Sequence, residues 1–179
     1  MLRRLRRTAA HRELNADERL RVMIDEHSGA VYRVALGVVR DPSLAEDVTQ
    51  ETMISAWKSL ATYRGEGSER SWILRIAHNT AVSTLRRIRD EATDPGLMPD
   101  RPVPGAEVHA AGRGDLAVLR SALDSLDELS RSIVILRDVE GLSYAEIADT
   151  LAVPIPTVKT RLLRARRELQ RVVEAGVAP

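Results

Sequence analysis

Four prolines and four glycines fall between Asp90 and Asp115 of this 179-residue chain, at Pro95, Pro99, Pro102, Pro104, Gly96, Gly105, Gly112 and Gly114. Proline lacks the amide hydrogen that a helix interior needs, and glycine loses most backbone entropy on ordering, so no regular element is expected to cross this stretch. A compact domain rarely tolerates so long a structureless loop. The chain is therefore expected to form two small units joined by a linker of roughly 25 residues, spanning about 80 Å when extended or about 28 Å as a flexible coil. An apolar share of 44% suffices for packed cores at this length.

Neither flanking block shows a period-2 strand pattern with hairpin signals, so the fold class is all-α. Asp17 is positioned to cap a helix towards His27, continued by Val31, Val34, Ala35 and Val38 at helical spacing. Asp41-Pro42 is a strong start signal for a helix from Pro42 to Leu60. Its buried stripe is expected to hold Ala45, Val48, Thr52 and Ala56, extended by Met53, Trp57 and Leu60, leaving Asp47, Gln50, Glu51 and Ile54 to project elsewhere. A third helix, from Ser71 to Arg89, has Leu74, Ala77, Ala81, Leu85 and Ile88 as its apolar seam. Arg75, Asn79, Val82, Arg86 and Arg89 lie on its other side.

The second block opens with a helix from Leu116 through Leu126 and another from Ser130 to Val139, which Gly141 ends. Ser143-Tyr-Ala-Glu146 is a capping box for a short helix through Leu151. Val153 to Ile155 turns the chain, and Pro156 stands in the first turn of a further helix. In that last helix Val158, Leu162, Ala165, Leu169 and Val172 form one stripe. Thr160, Arg164, Arg167 and Arg171 form the opposite one, flanked by Lys159, Arg161 and Arg166. Such a helix is anchored on one side and offers cations to phosphates and base edges on the other, as major-groove recognition requires.

The net charge is only +1, so a polyanionic partner must be met by these local clusters rather than by a basic protein as a whole. Cysteine is absent, which removes disulfides and thiolate zinc sites and suits a reducing compartment. Residues 1–7 are basic, but residues 8–12 supply no apolar signal core, and no run approaches the ~20 apolar residues of a membrane helix. A cytoplasmic chain with a disordered basic tail, residues 1–15, and no membrane contact of its own is expected. Catalysis has little to stand on. Glu46, Asp47 and Glu51 share a helix, but His11, His27, His78 and His109 lack metal-ligand spacing, and no phosphate-cradling glycine loop or serine nucleophile motif appears. No enzyme, metal or cofactor is expected.

The segment SYAEIADTLAVPIPTVKTRLLRARREL, Ser143 to Leu169, resembles the C-terminal helix-turn-helix of extracytoplasmic-function (ECF) sigma factors of the sigma-70 family. Asp47-Val-Thr-Gln-Glu51 with Ala56-Trp57, Tyr63-Arg-Gly65, and Trp72-Ile-Leu-Arg-Ile-Ala-His-Asn79 resemble the N-terminal domain of the same family in order and spacing. The resemblance implies a region 2 domain over residues 16–90, a linker over 91–115 and a region 4 domain over 116–176. It implies that Asp47, Gln50, Glu51 and Ile54 dock on the clamp helices of the largest subunit of core RNA polymerase, with the polymerase flap as a further contact. Tyr63, Arg64, Arg75, Asn79 and Arg86 would meet the opened minus-ten element. Lys159, Thr160, Arg161, Leu163, Arg164 and Arg167 would meet the minus-thirty-five duplex, with Arg164 the leading candidate. An anti-sigma factor is a further implied partner. The chain has no Phe, and Met53 and Glu69 stand where the family often places one, while Pro156 replaces a usual small turn residue. The competing reading is a stand-alone helix-turn-helix regulator, which would not need the patch of Asp47, Gln50 and Glu51.

Overall fold

The computed structural model describes residues 16–60, 63, 67–93 and 121–177. Its helices include α1 (Ala16–Val39), α2 (Pro42–Ser59), α3 (Glu69–Thr93), α4 (Glu128–Val134), α5 (Tyr144–Leu151) and α6 (Ile155–Val177), and α4 runs on into a π-helical turn over Ile135–Val139. Every regular element among the described residues is helical, as the lack of strand patterning predicted. The basic tail 1–15, Arg64 and the stretch 94–120, which holds most of the expected linker, lie outside the described residues.

Local chemistry accounts for the breaks. Asp41 caps α2 from extended backbone, its carboxylate accepting from the Leu44 amide at 2.8 Å, and Pro42 follows in the first turn. Asp127 caps α4 in the same way, accepting from the Ser130 amide at 2.9 Å, so α4 starts two residues ahead of the expected Ser130. The capping box is fully formed: the Ser143 hydroxyl accepts from the Glu146 amide and the Glu146 carboxylate accepts from the Ser143 amide. The turn between α5 and α6 pivots on Ala152, which has left-handed backbone (φ 52°, ψ 44°). α1 begins ahead of Asp17, which therefore sits inside the helix rather than before it. α3 runs on to Thr93 because Glu91 and Ala92 favour helix and Pro95 lies just beyond.

The predicted seams are largely the buried ones: Val31, Val34, Ala35 and Val38 of α1, Ala45, Val48, Thr52, Met53 and Ala56 of α2, and Leu74, Ala77 and Ala81 of α3, joined by Ile73. Trp57 departs from its expected place in the buried stripe, being 44% exposed. At 100° per residue it falls beyond Met53 towards Gln50, on the flank of the exposed face.

A small apolar cluster fills the junction where Val38 and Val39 of α1, Leu44, Ala45 and Val48 of α2 and Ala81 of α3 meet. A larger one starts at Met23, Val31, Met53 and Ile73 and runs without a break into Ile133, Ile135, Leu136, Ile147, Val158 and Leu162. The N-terminal helices and the helix-turn-helix thus share one core in this arrangement. At the seam a Cβ on Gly37 would overlap Cδ1 of Ile135. The Arg131 guanidinium, only 6% exposed as a residue, donates to the carbonyls of Leu123 (2.9 Å), Leu126 (2.7 Å) and Gly37 (3.2 Å), so one side chain ties α4 both to its preceding turn and to α1. Arg40 bonds Asp124 at 2.7 Å across the same seam.

Left-handed backbone costs a residue with a Cβ roughly 1–2 kcal/mol, and the exposed Ala152 gives up no packing on truncation. Ala152→Gly should therefore raise stability by about 0.5–1 kcal/mol after the added entropy of the unfolded chain, read as an increase in Tm. Burial pushes the imidazoles of His27 and His78 below their ordinary value of 6.5, with Glu69 and Glu128 respectively opposing it. The unfolded chain then binds these protons at higher pH than the folded one. The stability they contribute is complete above about pH 6.5 and is lost as pH falls through the depressed folded values. Thermal melting should give a lower Tm at pH 5.5 than at pH 7.5, and a His27→Gln, His78→Gln double variant should flatten the difference.

Candidate nucleic-acid interface

α2 turns Asp47, Gln50, Glu51 and Ile54 outward together, all exposed, and Trp57 extends that face. Ile54 (53% exposed) and Trp57 place two large apolar groups among carboxylates, the mixture of anchor and charge that protein interfaces favour. Behind this face a polar cleft of about 340 Å3 lies between α2 and α3, lined by Glu51, Asn79, Thr80, Ser83, Thr84 and Arg87. Glu51 and Asn79, expected on different surfaces, therefore share one cleft.

Arg75, Asn79 and Arg86 follow one another along α3 at steps of four and seven residues, and Asn79 and Arg86 are exposed. Tyr63 meets Trp72 with ring centroids 4.7 Å apart and planes tilted by 33°, a small aromatic platform at the start of α3. Burial, with the nearby Glu69 carboxylate, pushes the Tyr63 phenol above its ordinary value. Arg75 is not free: it bonds Asp149 of α5 at 2.6 Å. Arg70, in the first turn of α3, is turned to Glu140, whose carboxylate also accepts from Arg33 Nε at 2.7 Å. The bond to Glu140 holds the Arg33 guanidinium above its usual range. Glu140 and Asp149 carried no signal in the sequence, because each meets its partner only through tertiary packing.

α6 buries Val158, Leu162 and Ala165 and exposes Lys159, Thr160, Leu163, Arg164 and Arg167. Arg161 departs from that group. Its guanidinium donates to both oxygens of Asp127 at 3.0 Å and to the Ser130 hydroxyl at 3.2 Å, which fastens α6 to the cap of α4. Burial alone would raise the Asp127 carboxyl; the Ser130 amide and hydroxyl, with Arg161, outweigh it and hold the group below its usual value. Lys159 and Arg137 both approach the Tyr144 ring, at 5.7 and 4.9 Å from its centroid, so one aromatic side chain steadies two cations beside the exposed face.

The arrangement is that of a helical protein with a helix-turn-helix and a separate exposed face that is both acidic and apolar. Residues 23–91 match the model of sigma-70 region 2 and residues 116–169 that of sigma-70 region 4. The chain is 38% identical over 154 residues to ECF RNA polymerase sigma factor SigE of Mycolicibacterium smegmatis, covering 83% of this chain but 59% of that longer protein. It is 32% identical over 164 residues to ECF sigma factor SigL of Mycobacterium tuberculosis, covering 88% of this chain and 91% of that one. Among solved structures it resembles the sigma factor RpoE in complex with the anti-sigma factor NepR from Bartonella quintana (TM-score 0.72, 26% identity, 86% of this chain and 96% of that one). It also resembles CnrH in complex with the cytosolic domain of CnrY (TM-score 0.67, 26% identity, 96% and 97%). The chain belongs to the extracytoplasmic-function group of the sigma-70 family. Core RNA polymerase and promoter DNA are the partners that family membership assigns to it.

Two arginines three residues apart should separate in a melt. Arg161→Ala removes a partly screened pair and should lower stability by about 0.5–1 kcal/mol, whereas Arg164→Ala, exposed and without a hydrogen bond among the described residues, should leave Tm unchanged within about 1 °C.

Proposed function

We propose that this chain works in the cytoplasm as an alternative sigma factor and divides two promoter elements between its two helical units. Residues 16–90 dock on the clamp helices of core polymerase through Asp47, Gln50, Glu51, Ile54 and Trp57, and open the minus-ten element against Tyr63, Arg64, Arg75, Asn79 and Arg86. Residues 116–176 hold the minus-thirty-five element as duplex. There Lys159, Thr160, Leu163, Arg164 and Arg167 face the major groove, while Arg161 shapes the helix that presents them. The linker over 91–115 spans the distance between the two elements, and the C-terminal unit also meets the flap. The chain performs no catalysis of its own; polymerase supplies the chemistry.

The observation that carries this reading is the pairing of two unlike surfaces on one chain. A recognition helix alone suits any helix-turn-helix regulator, but an exposed acidic face carrying Ile54 and Trp57, adjoining a polar and cationic α3, suits a protein that must hold polymerase and DNA together. Control by an anti-sigma factor is supported by the solved relatives, since RpoE and CnrH were each captured with NepR and with CnrY respectively.

The test is reconstitution: purified protein, sigma-free core polymerase and genomic DNA of the source bacterium, with transcript 5′ ends mapped with and without the protein. New start sites preceded by two spaced elements are expected. Glu51→Lys should reduce them about tenfold or more with helicity unchanged, since reversing a charge at such an interface removes on the order of 1.4 kcal/mol or more. Stable duplex binding by the protein alone, with no protein-dependent initiation, would instead favour the stand-alone regulator.

A further inference from the structure

A second cleft, of about 200 Å3, opens where the end of α1 and the later turns of α3 meet α4. One wall is aliphatic, made by Val38 and Val39 of α1 and Leu85 and Ile88 of α3. Arg40, Arg89, Arg131 and Glu128 supply the charged lining. None of these side chains belongs to the polymerase or promoter contacts proposed above. Arg131 is 6% exposed, and among the described residues its guanidinium meets the carbonyls of Leu123, Leu126 and Gly37 but no carboxylate within ion-pair distance. Carbonyl dipoles compensate a buried cation only in part, whereas a full negative charge at bonding distance compensates it. A guanidinium has five N–H donors, so after these three bonds two remain for a guest. We propose that this cleft binds a small monocarboxylate with an aliphatic body, its carboxylate held by Arg131 and Arg40 and its chain laid against the valine, leucine and isoleucine wall.

The backbone of Arg40 points the same way. It ends α1 in left-handed conformation (φ 61°), which favours glycine, yet it carries a long cation that bonds Asp124 at 2.7 Å and lines the cleft. Backbone held in a disfavoured conformation is concentrated at ligand clamps and similar sites. Burial and the neighbouring Arg40 hold the Arg131 guanidinium below its usual range, and a bound anion would relieve both. Size and charge select the guest. The volume lies below the roughly 300–1,000 Å3 of sites that take drug-sized ligands. One buried cation without a counter-ion calls for one negative charge, and Glu128 in the lining disfavours a dianion such as a phosphate monoester. Because α1 and α3 supply one side and α4 the other, the guest binds the three elements as they are seated here and stabilises that seating.

The probe is sodium hexanoate, with acetate and hexanol as controls that keep only the charge or only the chain. Titration calorimetry on the whole chain should give hexanoate a Kd on the order of 1 mM. At ten times that Kd, Tm should rise by about 3–6 °C. Acetate and hexanol should each bind at least tenfold more weakly. Arg40→Gly, which suits the left-handed backbone, and Arg89→Glu, a charge reversal at an exposed position, should each weaken hexanoate at least tenfold. Circular dichroism confirms the fold of each variant. Should Arg40→Gly fail to fold for want of its bond to Asp124, Arg89→Glu decides alone. Absence of hexanoate binding up to about 20 mM would overturn the site. Unchanged binding by a folded variant would put hexanoate elsewhere on the protein, and equal binding by hexanol would leave an apolar cavity with no anion role; either result overturns the assignment. Neither polymerase nor DNA enters these measurements, so failure here and failure of promoter-directed initiation give different results.

Discussion

A carboxylate with no exposed surface, Glu140, sits where the two halves of the chain meet, and the arrangement of everything around it depends on how its charge is met. Moving such an ion out of water costs several kcal/mol, so Glu140 can be enclosed only while cations enclose it. Arg33 approaches from α1 and Arg70 from α3, which makes the site a three-body joint between elements far apart in sequence. Buried pairs of this kind contribute little net stability, because desolvation consumes most of the Coulombic gain, but they discriminate strongly between matched and mismatched packing. Attraction between the halves comes mainly from apolar contact along the shared core, and the ionic joint selects the register in which that contact is made.

That register governs what each helix shows to solvent. With α5 lying against α3, the acidic side of α2 and the outer side of α6 remain open, and Arg75 is engaged. Within the C-terminal helices a second set of charges works differently. Arg161 with Asp127, at the cap of α4, and Arg166 with Asp138, in the turn that follows α4, join α6 to this segment across its partly exposed flank, so they orient α6 against it. Arginine thus has two uses in this region, and position on the helix wheel separates them: Arg161 turns towards α4, while Arg164 and Arg167 turn away.

Helix positions, caps and seams were legible in the sequence because they depend on short-range chemistry. The Asp41-Pro42 start, the reciprocal bonds between Ser143 and Glu146, and the spacing of Val158, Leu162 and Ala165 each involve residues no more than four apart. The Trp57 error is of a related kind, since a helix wheel gives direction but not the width of the face its neighbours cover. The shared core was illegible for a different reason. A proline- and glycine-rich stretch signals a break between two helical blocks and carries no information on whether their surfaces fit. Gly37 against Ile135, and Glu140 against Arg33, are pairings of residues roughly one hundred positions apart, and neither residue type is unusual where it stands. The bond from Arg161 to Asp127 was equally illegible, because charge alone cannot tell a solvent-facing cation from one turned to an acidic helix cap.

The widened turn at Ile135–Val139 bears on this joint through counting rather than chemistry. A π turn holds one residue more than the α-helical turn it replaces, and its signature here is the Glu140 amide donating to the Ile135 carbonyl five residues back, at 2.9 Å. Each residue in a helix advances the azimuth by about 100°, so the surplus residue swings Glu140 about a quarter-turn from where an unbroken α-helix would aim it. The pairing with Arg33 and Arg70 is therefore encoded partly in how the segment is wound: the same residues in an unbroken α-helix would aim the carboxylate about a quarter-turn away from both arginines.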